Sequence, residues 1–264
     1  MIDAVRGTDA PSGPARPGAG PDAGFDTVIE GCDTCPVTTL LLARHGLTDL
    51  TGPVLAGRTP GVRLSEAGRA QAVALAGRIA GVRLDAIVSS PLERCQETAA
   101  AVAAGRDLPV RTDEGFIECG YGEWTGRPLK ELAKEPLWQV VQAHPSAAAF
   151  PGGESVADMQ HRAVAAVREW NQRLGEKGVY LVCSHGDVIK SIVADALGLH
   201  LDQFQRITAD PAALTVIRYA PLRPFVLRLN DMGELRLPED SEEKDGGENH
   251  TGSDAAVGGG PGTT

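Results

Sequence analysis

Two histidines lie in the same sequence context, each at the end of an apolar run and each followed by glycine. These are His45 and His185, and a third apolar run ends at Ser89, with Arg94 shortly after it. In an open α/β sheet, ligands bind in the crevice at the carboxyl ends of parallel strands. We therefore expect these side chains to share one pocket.

A phosphate monoester is the ligand that suits these residue types. Guanidinium groups at Arg44 and Arg94 would hold its charged oxygens with paired hydrogen bonds. Imidazole is partly unprotonated near neutral pH, so His45 could attack phosphorus while His185 donates to the oxygens in the transition state. A lone His-Gly pair is more often a turn, but two such pairs with two arginines favour phosphoryl transfer. The leaving oxygen also needs a proton donor, and the residues alone leave several carboxylates as candidates.

Short β-rich runs alternate with longer Ala-rich runs, which predicts an α/β fold whose mostly parallel sheet has helices on both faces. The predicted strands are 38–43, 85–89, 180–184, 215–219 and 225–230, and the predicted helices are 65–80, 91–104, 155–175 and 188–197. In the first helix, which Ser65 would cap, the spacing predicts an apolar face of Ala67, Ala70, Val73, Ala76 and Ile79.

The bulk properties exclude several function classes. The chain has 264 residues, a formal net charge of -10 and a pI near 5.1, which argues against nucleic acid or an anionic membrane as partner. No apolar run reaches the roughly 20 residues of a membrane span, and we find no secretory-type leader, so we expect a cytoplasmic protein. Composition predicts one domain, 37–236, between disordered tails, 1–36 and 237–264.

The cysteines predict neither a disulfide framework nor a metal site. Five cysteines, mostly in apolar segments, are typical of reduced thiols. The Cys32-x-x-Cys35 spacing lies in the predicted tail and is interpreted as chance, and no other cluster has metal-ligand spacing. We expect no metal and no cofactor. A separate hypothesis places the natural start at Val37, because the preceding residues resemble translated noncoding sequence.

Six short motifs follow one another in an order that resembles the histidine phosphatase superfamily, in its phosphoglycerate-mutase-like branch. The resemblance covers about residues 37–235, and six motifs in register are much more specific than any one of them. The motifs are LARHGLT (42–48), LSEAGRAQA (64–72), SSPLERCQETA (89–99), ECGYGEWTG (118–126), PGGES (151–155) and SHGD (184–187).

The resemblance implies a three-layer α/β/α sandwich and a metal-independent mechanism. It implies that His45 becomes phosphorylated and that Glu118 acts as general acid and then as base. Glu114 and Glu123 are interpreted as solvated charges. The implied phosphate-binding residues are Arg44, Arg94 and His185, together with Thr51, which stands where the family commonly has Asn. Another departure is Leu47, where the family often has Glu.

Phosphatases and mutases of this family share the phosphohistidine and differ in the phosphoryl acceptor. The segment 126–151 is less basic than the corresponding insertion of phosphoglycerate mutases, and it predicts a helix with one apolar face. Its Trp138 is interpreted as packing, with substrate contact as the alternative. The first hypothesis is a phosphatase acting on a small phosphorylated metabolite. A phosphomutase is the alternative, a binding or scaffold domain is the alternative of another class, and the oligomeric state stays open, with a homodimer as one alternative.

Overall fold

A computed structural model of the protein describes residues 37–233. The segments predicted as tails, with Cys32 and Cys35, lie outside the described residues, so those predictions and the hypothesis about the natural start stay predictions. Between residues 37 and 233 no helix is long and apolar enough to cross a membrane.

The described residues form a six-stranded mixed sheet in the order β3-β2-β4-β1-β5-β6. Strands β1 to β4 run parallel to one another, and the hairpin of β5 and β6 runs antiparallel, with β5 beside β1. The mostly parallel sheet predicted from the sequence is confirmed. The strands are β1 (Thr38–Arg44), β2 (Ala86–Ser89), β3 (Val110–Thr112), β4 (Val179–Ser184), β5 (Leu214–Tyr219) and β6 (Pro224–Asp231).

Helices cover both faces of the sheet, which gives the three-layer arrangement. They are α1 (Glu66–Arg78), α2 (Glu93–Ala103), α3 (Leu129–Leu132), α4 (Pro136–Ala143), α5 (Val156–Leu174) and α6 (Gly186–Ala196). Four short 3-10 helices complete the described elements: Glu114–Phe116, Gly122–Trp124, Pro145–Ala147 and Leu201–Arg206.

Side chains of the central strands point alternately to the two faces of the sheet and contribute to two hydrophobic cores. In β1, Leu40 and Leu42 pack into the core on the side of α5 and α6, whereas Leu41 and Ala43 pack into the core on the side of α1 and α2. Successive side chains of a strand point to opposite faces, so a strand that is buried on both faces reads as one continuous apolar run. This is why the sequence predicted β1 within one residue.

The predicted apolar face of α1 is wrong at Ala67, Ala70 and Val73, which are exposed, and right at Ile79 and the partly buried Ala76. The structure buries Gly68, Ala72, Leu75 and Ile79, while Val73 is 67% exposed. Alanines on several sides of this helix make more than one apolar face possible at helical spacing. The face that packs includes Gly68, and glycine is not scored as hydrophobic in such a pattern. Ser65 does cap the helix, since its side chain accepts a hydrogen bond from the Gly68 amide.

Two helix starts and one strand also differ from the predictions. Pro91 precedes α2 instead of opening it, because Leu92 is the N-cap residue. Helix α6 begins at Gly186, two residues earlier than predicted, with His185 as its N-cap residue. Strand β3 was not predicted, since it has only three residues and two of them are exposed.

Two glycines bring the end of β1 against the start of α1. A Cβ atom on Gly46 would lie 2.4 Å from the Gly68 carbonyl oxygen, and one on Gly68 would lie 1.9 Å from the Leu47 carbonyl oxygen. Both distances are far below van der Waals contact, so only glycine permits this approach. The glycine after His45 is thus a packing requirement of the strand end.

We expect Gly68→Ala to destabilise the fold by about 2 kcal/mol, because backbone must move to admit the methyl group. Gly77→Ala is the matched control in the same helix, where an added Cβ meets nothing within 4 Å. It should stabilise the fold by about 0.5–1 kcal/mol, as alanine replaces glycine in a helix. Urea unfolding measures both free energies, and equal changes would contradict the packing explanation.

Candidate active site

The carboxyl ends of three neighbouring parallel strands place the predicted residues together. His45 follows β1 and His185 follows β4, and their ring centroids are 5.2 Å apart in an edge-to-face arrangement. Arg94, from α2 after β2, donates through Nε to His45 Nε2 at 3.2 Å. The predicted convergence of the three strand ends is what the geometry shows.

His45 is held as a neutral imidazole with one defined tautomer. Its Nδ1 lies 2.7 Å from the Gly46 carbonyl oxygen, and a carbonyl only accepts, so Nδ1 carries the proton. Burial lowers the pKa of His45 well below its usual value, and the positive charges of Arg94 and Arg44 lower it further. Nε2 is therefore the unprotonated nitrogen. Its lone pair accepts from Arg94 Nε, and it can attack phosphorus once a phosphoryl oxygen takes over that donor.

Two buried guanidinium groups lie beside His45, and each side chain is 2% exposed. Arg44 Nη1 donates to the Ala209 carbonyl at 2.8 Å, and Arg94 Nη2 donates to the Gly57 carbonyl at 2.7 Å. Within the described residues, the buried Arg94 Nη1 has no hydrogen-bond acceptor. A buried cationic donor without an acceptor is costly, and an anion at this position would satisfy it.

His185 is completely buried between α2 and the end of β2. The Ser90 hydroxyl lies 2.7 Å from Nε2, and Arg94 Nη2 lies 3.3 Å from Nδ1. Burial lowers the pKa of His185 well below its usual value, with Arg94 as the next cause, so the ring is neutral. A guanidinium only donates, so Nδ1 accepts from Arg94, and Nε2 carries the proton and donates to the Ser90 hydroxyl.

Among the three glutamates considered for the proton donor, the structure brings only Glu118 into this cluster. Glu118 is 4% exposed and its Oε2 lies 3.9 Å from His185 Nδ1, whereas Glu114 and Glu123 are exposed. Burial raises the pKa of Glu118 to about 7, helped by the negative charge of Asp187. The carboxyl group is consequently protonated over much of the neutral range, as a proton donor must be.

Two arginines hold the backbone of Glu118. Arg58 Nε and Arg162 Nη2 donate to its carbonyl oxygen at 2.7 and 3.1 Å. Both arginines pair with the Glu154 carboxylate, which also accepts from the Gly120 amide at 2.8 Å. The PGGES motif therefore supplies a carboxylate that fixes the loop carrying Glu118, a role that sequence reasoning missed.

A second missed group is the buried pair of Tyr121 and Asp187. The Tyr121 hydroxyl donates to Asp187 Oδ2 at 2.8 Å, and Lys190 Nζ lies 3.5 Å from Asp187 Oδ1. Asp187 and Ser90 stand next to predicted strand ends, inside motifs quoted from the sequence. Their position beside strand ends could have marked them as candidate site residues. Their contacts could not be predicted, because these depend on tertiary packing.

Thr51 and Leu47 occupy the two positions where the sequence departs from its family. Thr51 lines the cleft above His45, and its hydroxyl accepts from the Thr48 amide at 3.0 Å and lies 2.9 Å from the Thr48 hydroxyl. Its phosphate contact stays a prediction. Leu47 is not part of the cleft wall within the described residues, and its amide donates to the Gln71 side chain at 2.9 Å.

Trp138 belongs to the core. It is 6% exposed and stacks on Trp124 with ring centroids 6.2 Å apart. From the segment 126–151 the cleft wall takes Leu129 instead. The packing interpretation of Trp138 thus agrees with its burial. In the described part of the chain, no three or more His, Cys, Asp or Glu side chains form a group that could hold a metal ion.

Comparisons with known proteins show which sequences and solved structures this chain resembles. Phosphoserine phosphatase 1 of Hydrogenobacter thermophilus is 32% identical over 197 residues, which are 72% of this chain and 91% of that protein. Glucosyl-3-phosphoglycerate phosphatase of Mycolicibacterium vanbaalenii is 33% identical over 177 residues, or 64% of this chain and 78% of that protein. The solved structure of Bacillus stearothermophilus YhfR matches with a TM-score of 0.67 and 30% identity, covering 74% of this chain and 97% of that one. The model of the histidine phosphatase superfamily (branch 1) matches residues 40–232, and the chain belongs to that superfamily.

Proposed function

We propose that this protein is a phosphatase that hydrolyses a small phosphomonoester through a phosphohistidine at His45. The observation that carries the proposal is the unpaired, buried Nη1 of Arg94 beside the neutral Nε2 of His45. A cationic donor that lacks an acceptor among the described residues, next to an unprotonated imidazole nitrogen, suits a phosphoryl group. The phosphatase names of the relatives support water as the final acceptor.

In the first half-reaction His45 Nε2 attacks phosphorus. The N–P bond forms as the bond from phosphorus to the ester oxygen breaks, and the carboxyl proton of Glu118 goes to the departing oxygen. The alcohol leaves, and phosphohistidine and a Glu118 carboxylate remain. The raised pKa of Glu118, about 7, supports this role because the proton is present at neutral pH.

In the second half-reaction water takes the place of the alcohol. Its oxygen attacks phosphorus, the N–P bond breaks, and one water proton goes to the Glu118 carboxylate. Inorganic phosphate leaves, and His45 and Glu118 return to their starting protonation states. One carboxyl group thus serves both steps, since each step produces the protonation state that the other needs.

The cationic side chains stabilise the transferring group. Charge spreads over three equatorial oxygens in the transition state, and guanidinium donors held beforehand require no reorganisation when the charge develops. Arg44 and Arg94 are fixed by the carbonyls of Ala209 and Gly57. The neutral ring of His185 accepts from Arg94 Nη2 through Nδ1 and so helps to fix that guanidinium group, whereas its predicted contact with a phosphoryl oxygen requires Nδ1 to carry the proton instead.

The two alternatives differ in what happens to the phosphoryl group. A phosphomutase would return it to bound substrate, and a scaffold domain would not transfer it. A scaffold has no need for a neutral histidine, two buried arginines and a carboxyl group whose pKa is raised to about 7. The oligomeric state and the cytoplasmic location stay predictions.

The test is incubation of the protein with a panel of phosphorylated metabolites and 4-nitrophenyl phosphate, followed by rapid quenching. We expect phosphate and alcohol in equal amounts, and an acid-labile phosphoryl group on His45 by mass spectrometry. Isomerised phosphoester without free phosphate would show a mutase instead. Absence of both turnover and labelling would contradict phosphoryl transfer altogether.

A further inference from the structure

The cleft is lined by charged side chains at the phosphate site and mainly by apolar side chains farther from it. At its base lie Arg44, His45, Arg94 and Glu118, but the wall above them comes mainly from the segment 48–57 and from α3. The partly exposed apolar side chains of that wall are Leu50, Val54, Ala56 and Leu129, whereas Leu55 is buried in the core behind it. The alcohol part of a phosphoester bound at His45 would lie against it.

The polar groups of this wall are already engaged with the protein. The hydroxyls of Thr48 and Thr51 lie 2.9 Å from each other, and the Thr51 oxygen also accepts the Thr48 amide. The Tyr121 hydroxyl donates to Asp187. These hydroxyls keep some hydrogen-bonding capacity, since the Thr48 and Thr51 pair uses only one of its two protons, but they are neutral and offer no charge to balance an anionic alcohol.

Positive charge in the cleft is confined to its base. Among the described residues that line it, Arg44 and Arg94 are the sole arginines or lysines, and both lie at the phosphate site. Nearby cations outside the wall are paired elsewhere: Arg58 binds Glu154, and Arg127 binds Glu135 at 2.8 Å. A carboxylate or second phosphate on the alcohol would lose water without gaining a cation, which is unfavourable.

We infer that the site selects phosphomonoesters of uncharged, apolar alcohols over esters whose alcohol carries a carboxylate or a second phosphate. This inference rests on the proposed function, since it describes the alcohol that His45 and Glu118 release. Leu50, Val54 and Leu129 contact the alcohol, and burial of apolar surface on both partners supplies the preference.

A matched pair of substrates tests the inference. 4-Methylpentyl phosphate and 4-phosphooxybutanoate share the primary alcohol next to phosphorus and end in isopropyl and carboxylate groups of similar shape. We expect kcat/KM to be at least about 10-fold higher for 4-methylpentyl phosphate, in line with single-group discrimination in apolar pockets. Equal values, or a preference for the carboxylate, would overturn the inference while phosphate release from either ester would uphold the proposed function. No release from either ester or from 4-nitrophenyl phosphate would instead contradict the proposed function.

Variants of the wall provide the second measurement. Leu129→Lys places a cation in the wall and should lower the ratio of the two kcat/KM values by about 10-fold or more. Leu50→Lys tests the other side of the cleft in case Leu129→Lys unfolds, which thermal unfolding will show. Lys130→Ala is the control, because Lys130 is exposed and not part of the described wall, and its ratio should equal that of the wild type. An unchanged ratio in both folded wall variants would show that the wall does not contact the alcohol.

Discussion

Replacing His45 by alanine is expected to lower kcat for every phosphomonoester by a factor of about 10⁴ or more. The reason is that Nε2 of His45 forms the covalent bond to phosphorus, and no other imidazole in the cluster can take its place. His185 is 5.2 Å away between ring centroids, and its Nε2 is occupied by the Ser90 hydroxyl. Phosphate release in steady state and acid-labile phosphoryl incorporation in a single turnover measure the loss.

The matched control is His161→Ala, a histidine that is exposed on α5 and outside the cluster. It should retain wild-type kcat and wild-type labelling. His45→Ala protein must also unfold at a temperature close to that of the wild type, so that the loss reports on chemistry. Turnover that survives His45→Ala in a folded protein would rule out the phosphohistidine.

Replacing Glu118 by glutamine is expected to lower kcat/KM by a factor that depends on the leaving group of the substrate. For an alkyl phosphate, kcat/KM should fall by about 10²–10⁴, because the departing alkoxide needs a proton. For 4-nitrophenyl phosphate the loss should stay below about 10-fold, since nitrophenolate leaves without protonation. Comparison of kcat/KM restricts the measurement to the phosphorylation step, in which Glu118 acts as the acid.

The activity of the wild type on an alkyl ester should decrease as the pH rises. Since burial and Asp187 raise the pKa of Glu118 to about 7, its acidic form is lost as pH rises through about 7. Wild-type kcat/KM for the alkyl ester should therefore fall above this pH. The ratio of wild-type to Glu118→Gln values should fall with it, because glutamine does not titrate and changes in the substrate's own charge cancel.

Glu114→Gln and Glu123→Gln are the controls, since both carboxylates are near in sequence but exposed. Each should leave the two substrates and the pH profile unchanged. Equal losses for alkyl and nitrophenyl esters in Glu118→Gln would show that Glu118 is not the proton donor. Loss of the alkyl reaction in Glu123→Gln alone would reassign the role.

The fold was predictable where one physical signal dominates. Strand β1 is buried on both faces, so its continuous apolar run identified it, and helix α5 has both its capping residues and its apolar spacing in the sequence. The face of α1 was not predictable in this way. Its packing is decided by the close approach of Gly68 to the Leu47 backbone, which depends on where β1 ends in space.

The candidate site likewise contains residues whose position the sequence predicts and residues whose position depends on tertiary packing. The convergence of His45, Arg94 and His185 follows from strand order, because neighbouring parallel strands end at one edge of the sheet. The choice of Glu118 among nearby carboxylates came from family resemblance, and its burial and raised pKa arise from long-range packing. The partnership of Glu154 with Arg58 joins residues that are 96 positions apart, and no local pattern contains it.

One segment carries both the wall of the cleft and the supports of the reacting groups, and this limits how such an enzyme can acquire new substrates. Gly57 holds Arg94 through its carbonyl, and Arg58 holds Glu118. Mutations that reshape the wall near Gly57, next to Arg58, therefore risk the chemistry along with the selectivity. Leu129 comes from a separate segment, and none of its described contacts supports Arg94 or Glu118. Substitutions at Leu129 can therefore change the substrate preference without disturbing the reacting groups.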